Sequence, residues 1–111
     1  MLEVTFYRDS RQRLSSVFAL GHADFADAGE DIVCAAVSAI LQAARLGLEA
    51  HVRVPLEVVQ TKGDLRIRWP ETARDNAALV AIVTTAELST EQIARQYPTH
   101  VRFKRASEPA A

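Results

Sequence analysis

Leu2-Glu3-Val4-Thr5-Phe6-Tyr7-Arg8 alternates apolar and polar side chains, the two-residue period of a strand with one buried face. After the polar stretch from Asp9 to Arg13, Leu14 to Leu20 resumes in β-favouring residues, so the two segments predict a hairpin. Gly21 to Glu30 has no periodicity, two glycines and three acids, which predicts a loop feeding a helix. Ile32 to about Ala50 is rich in Ala, Leu and Ile, with Asp31 placed as an N-cap, and predicts the first helix. Val54–Thr61 and Leu65–Trp69, separated by Lys62-Gly63-Asp64, predict a second hairpin that ends at Pro70.

Thr72 to Leu88 returns to helical composition, and Ser89-Thr90-Glu91-Gln92 has the pattern of a capping box, so a break is expected near Ser89 before the helix resumes to Tyr97. Val101–Arg105 suits a final edge strand, followed by a short flexible tail from Ala106 to Ala111. The order ββ-α-ββ-α, with the edge strand last, predicts an α+β fold. Two hairpins interleave with two helices in a two-layer domain, and the largely antiparallel sheet is covered on one face.

Asp31, Cys34, Ser38, Gln42 and Arg45 recur every three or four residues and fall within an arc of roughly 80° on the first helix. They are its only non-apolar residues from 31 to 45. The opposite surface, with Ile32, Val33, Val37 and Ile40, is wider than a surface helix needs, so burial against more than one layer, a second subunit included, is expected. The run from Ile32 to Leu48 falls about one residue short of the roughly 18 that cross a bilayer, and Ser38, Gln42 and Arg45 interrupt it. It reads as a soluble helix rather than a membrane span.

The 111 residues suit one domain over 1–111. Thirteen Lys and Arg against fourteen Asp and Glu give a net charge of -1, which argues against nucleic acid as the main partner. A single cysteine cannot close an internal disulfide, and the N-terminus lacks the pattern of a secretory signal, so a cytoplasmic location is expected.

Residue type alone makes a lone cysteine a small buried hydrophobe more often than a reactive one. Cys34, however, lies on the polar stripe near the predicted helix start, where unpaired N–H groups and the dipole favour a thiolate. Asp31 opposes that charge, so a cationic partner is needed. His22 is the candidate, while His51 and His100 have no comparable setting. A metal site built from His22, Cys34, Asp31 and His51 lacks any tight ligand spacing, and no metal or other cofactor is expected. Ser38 reads either as a hydroxyl bonded to its own helix backbone or as a polar neighbour of the thiol.

Gly21-His22-Ala23 followed by Gly29-Glu30-Asp31-Ile32-Val33-Cys34-Ala35-Ala36-Val37-Ser38 resembles the signature of the ribosomal-processing cysteine proteases, the family called Prp. The resemblance implies a small α+β homodimer paired through helices, acting as a cytoplasmic endopeptidase. Its implied substrate is the N-terminally extended large ribosomal subunit protein twenty-seven, cut after a hydrophobic, aromatic-containing segment. It further implies Cys34 as nucleophile and His22 as base and acid, with Asp31 and Ser38 in support. Gly21, Asp24, Asp27, Gly29 and Glu30 would belong to a substrate loop, whose acids attract the basic ribosomal chain. The competing class is a non-catalytic dimeric adaptor that binds a ribosomal protein, and a third is a redox or metal sensor.

Overall fold

The computed structural model describes residues 1–21 and 28–108, with only the backbone described for 28–31. Five strands form one sheet: β1 (Leu2–Arg8), β2 (Leu14–Leu20), β3 (Glu57–Thr61), β4 (Asp64–Arg68) and β5 (Val101–Ser107), ordered β3-β4-β2-β1-β5. β1 and β2 form the expected hairpin, with Val4 opposite Ala19 and Phe6 opposite Val17. Every junction is antiparallel except β1–β5, which is parallel with Leu2 opposite Val101.

Two helices, α1 (Ala28–Leu46) and α2 (Ala77–Gln96), supply the second layer. The alternation seen in the sequence sends Leu2, Val4, Phe6, Val17, Ala19 and Ile67 into one buried cluster with Val33, Val37 and Leu41 of α1 and Leu79, Val83 and Ala86 of α2. Alternate strand residues, among them Tyr7, Phe18, Arg66 and Lys104, point to the other face. The α+β, two-layer expectation thus holds.

The boundaries differ from expectation in instructive ways. α1 starts at Ala28, so Asp31 lies inside the helix rather than at its N-cap. Its end passes into a π-helical turn, Gly47–Val52, closed by Arg53 in the left-handed region at φ 61°. That extension makes Ile32–Val52 long and apolar enough to cross a membrane. Here, however, Val33, Val37, Leu41 and Leu48 pack in the core, and Arg45 pairs with Glu49 at 2.6 Å. β3 begins only at Glu57, because Arg53 and Pro55 keep the preceding residues out of the ladder.

No break occurs at Ser89. α2 is continuous from an N-cap at Asn76, whose side chain accepts the Leu79 N–H at 3.1 Å. Thr90 is fully buried, and Glu91 accepts from Arg105 at 2.7 Å, so both positions are held by tertiary contacts that need a continuing helix. Packing here overrides the local capping signal. β5 likewise runs through Ser107, two residues into the expected tail, and Glu108 lies 3.7 Å from both Arg68 and Arg74.

Two buried ion clusters lock the layers. Glu87 of α2, 3% exposed, receives Arg8 of β1 at 2.7 and 3.0 Å and Arg105 of β5 at 3.2 Å. Asp9, at the β1–β2 turn, accepts the N–H groups of Arg11 and Arg13 at 2.8 and 3.1 Å and the buried Arg74 guanidinium at 3.0 Å. Arg74 also donates to the Trp69 carbonyl, while Trp69 itself donates to the Leu14 carbonyl at 2.7 Å. Burial alone would raise the Asp9 pKa. The Arg13 N–H and the Arg74 guanidinium, with the Arg11 N–H, outweigh it and hold the carboxyl at about 2 against an ordinary value of 3.8.

A pKa lowered on folding contributes stability that is complete above the unfolded value and is lost as pH falls from about 4 toward 2. Asp9→Asn should lower unfolding free energy at pH 7 by roughly 3 kcal/mol, because the buried Arg74 then keeps only the more distant Glu108, at 3.7 Å, as a counter-charge. It should also flatten the loss of stability between pH 4 and pH 2. Urea unfolding across that range checks both, and a variant with the parent's pH slope would contradict the assignment.

Candidate active site

α1 packs on the sheet through Val33, Val37 and Leu41, and the 3.6-residue repeat then turns Cys34, Ser38 and Gln42 toward a cleft beside β4 and β3. The cleft holds about 340 Å³. Leu2, Ala19 and Leu65 contribute apolar groups to it, and Gly21, Gly63, Gln60 and Thr61 complete its lining. Cys34 is half-buried against the core. Arg45, next on the polar stripe, donates Nε to Glu49 and a terminal N–H to Gln60 at 2.8 Å, which ties α1 to β3. The part of the stripe from Cys34 to Gln42 is therefore the helix face that meets the cleft.

Gly21 marks where β2 leaves the sheet. Its φ is 81°, its N–H donates to the Gly63 carbonyl at 2.9 Å, and a Cβ there would lie 2.7 Å from the Met1 carbonyl oxygen. Only glycine meets both demands without strain. Gly63, at φ 77° in the β3–β4 turn, sits across the same ladder, so β2–β4 pairing brings these two glycines to one rim.

His22, Asp24 and Asp27 lie outside the described residues. Gly29, Glu30 and Asp31 are in the first turn of α1, with their side chains outside the description. Because α1 starts at Ala28, Cys34 is its seventh residue rather than a first-turn residue, and its own N–H belongs to the helical ladder. Dipole support for a thiolate fades beyond the first turn, so a cationic partner carries more of that task than the sequence suggested. It also moves the N–H groups without intrahelical acceptors to residues 28–31.

Ser38 is exposed on the cleft wall beside Cys34. Asp64, which receives Arg66 at 2.9 and 3.1 Å, and the Gln60–Thr61 pair also line the cleft. The sequence did not single these out, since only the β2–β4–β3 pairing places them there. His51 is exposed in the π-helical turn, and His100 bonds Thr99 at 3.0 Å; neither lines the cleft. Among the described residues, no group of three or more His, Cys, Asp or Glu side chains converges on a metal-sized site.

The family model described as Cysteine protease Prp matches residues 1–102. The chain belongs to that family. The Ribosomal processing cysteine protease Prp of Staphylococcus aureus is 31% identical over 106 residues, which cover 93% of this chain and 97% of that protein. Its Bacillus subtilis counterpart is 30% identical over 108 residues, covering 92% and 95%. A crystal structure of the S. aureus Prp with a covalently linked product peptide superposes with a TM-score of 0.82 at 25% identity, covering 95% of this chain and 99% of that one. The protein is thus a Prp cysteine protease in class, which displaces the adaptor and sensor readings.

Proposed function

We propose that this Prp protease removes the N-terminal extension of large ribosomal subunit protein twenty-seven through a Cys34–His22 dyad. The observation that carries the reading is the cleft itself: Cys34 and Gly21 line it together, and His22 is the residue bonded directly to Gly21. The names of the S. aureus and B. subtilis relatives, and the product peptide held covalently by the S. aureus enzyme, support it.

In this mechanism the dyad rests as thiolate and imidazolium. The Cys34 sulfur attacks the scissile carbonyl, and collapse of the tetrahedral intermediate expels the amine as His22 gives it a proton. His22 then takes a proton from water, whose oxygen attacks the thioester, releasing the new carboxylate and restoring the thiolate. N–H groups at the start of α1 serve the developing oxyanion. Asp31 and Ser38 support the dyad, Asp31 by stabilising the His22 cation. Asp24, Asp27 and Glu30 draw in the basic ribosomal chain beyond the cut, with Gly21 and Gly29 bracketing that substrate loop.

The same reading makes the enzyme a cytoplasmic homodimer paired through helices. Ile32 at 70%, Leu46 at 66% and Leu88 at 55% exposure leave apolar surface on α1 and α2 that a second copy would cover.

Incubation with the host's extended ribosomal protein should give one cut near its N-terminus, read by product mass, and Cys34→Ala should give none. Charge reversal of Asp24, Asp27 and Glu30 should slow the cut at low salt and leave it nearly unchanged at high salt. Equal cutting by parent and Cys34→Ala would remove Cys34 from the mechanism, and an unchanged low-salt rate would remove the three acids from recognition. Sedimentation should give twice the chain mass for the parent and the monomer mass for an Ile32→Glu, Leu46→Glu variant; a monomeric parent would contradict the helix-paired dimer.

A further inference from the structure

We infer that one arm of the bound peptide is held as an added strand on the outer edge of β3, alongside the polar stripe of α1. The inference deepens the protease reading and rests on it.

β3 is the last strand of the sheet on its side, and no described strand pairs with its outer edge. Which groups face outward follows from the ladder. Trp69 donates to the Ser15 carbonyl and Gly21 to the Gly63 carbonyl, so the odd-numbered residues of β4 bond toward β2. The even-numbered residues Asp64, Arg66 and Arg68 therefore bond to Thr61, Val59 and Glu57. That leaves the N–H and C=O groups of Val58 and Gln60 directed away from the sheet.

The two sheet edges differ in how they are protected. β5 carries Arg102, Lys104 and Arg105, the charged residues that discourage strand addition. β3 reads Glu-Val-Val-Gln-Thr, without lysine, arginine or proline within it. An extended peptide adds to such an edge through main-chain bonds.

Gln60 connects this edge to the nucleophile. It lines the cleft that holds Cys34, and its side chain receives Arg45. Beyond that link, a second recess, with Arg45 and Glu49 on one side and Pro55, Leu56 and Val58 on the other, continues past the start of β3. The cleft and the recess thus trace one path from Cys34 past Gln60 to Val58, with α1 and β3 running in opposite directions along it. Two outward residues two apart would bond alternate peptide residues, whose intervening side chains face the cleft or solvent.

The test is an N-methyl scan with the parent enzyme. From a set of ten-residue peptides containing a hydrophobic, aromatic-containing segment, the ribosomal junction sequence among them, the one cleaved fastest is methylated at one backbone nitrogen at a time. Strand addition predicts a loss in kcat/KM of about three- to tenfold at every second position on one side of the cut, with smaller effects between. Losses confined to the residues flanking the cut, or without alternation, overturn the inference. Failure of the junction peptide, with others cleaved, refutes the ribosomal substrate but leaves the scan decisive; a set with no cleaved member overturns both.

Gln60→Pro and Gln60→Ala both lose the Arg45 contact, but only proline removes the outward N–H. KM should therefore rise at least threefold more for Gln60→Pro than for Gln60→Ala, with kcat alike. Equal KM values, or a change in oligomeric mass for the proline variant alone, would instead assign the edge to other contacts.

Discussion

Everything about the site depends on one packing contact, the seating of Val33, Val37 and Leu41 of α1 on the inner face of the sheet. Each of these side chains is at most 3% exposed, and burying three of them stabilises the helix's rotational setting by several kcal/mol. Once that setting is fixed, the helical repeat leaves Cys34, Ser38 and Gln42 no direction but the cleft. A reactive thiol on a helix is only as well placed as the apolar stripe beside it.

The remaining constraints act at the two ends of the sheet. At one end, β2–β4 pairing brings Gly21 and Gly63 together, and the left-handed conformation of Gly21 sends the chain toward His22 from the rim of the Cys34 cleft. At the other end, Asp9, Arg74 and Trp69 tie the β1–β2 turn to the segment after β4, far along the strands from the thiol. Glu87 then fixes α2 to the parallel β1–β5 pair.

Much of this was legible in the sequence, for physical reasons that can be named. The two-residue alternation of Leu2–Arg8 reports a sheet with one wet face and located β1, and the β-favouring residues from Leu14 to Leu20 located β2. The three- and four-residue spacing from Cys34 to Arg45 reported the helix face that meets the cleft. Helix termini were less legible. Ala28 opens α1 without a capping signal the sequence singled out, and the capping pattern at Ser89 is silent because Thr90 is buried and Glu91 is committed to Arg105. The contribution of Gln60, Thr61 and Asp64 to the cleft could not be read at all, since it arises from pairing between strands more than forty residues apart in the chain.

Because Cys34 lies in the second turn of α1, the helix dipole alone gives a thiolate there little support, and the proposed dyad requires His22 to supply the positive charge. The direct measurement is the rate of Cys34 alkylation by iodoacetamide as a function of pH, in the parent and in His22→Ala. With the dyad in place, the parent should react with an apparent pKa well below the ordinary thiol value of about 8.5, and His22→Ala should restore a profile near that value. Coincident profiles, both with an ordinary thiol midpoint, would contradict the dyad.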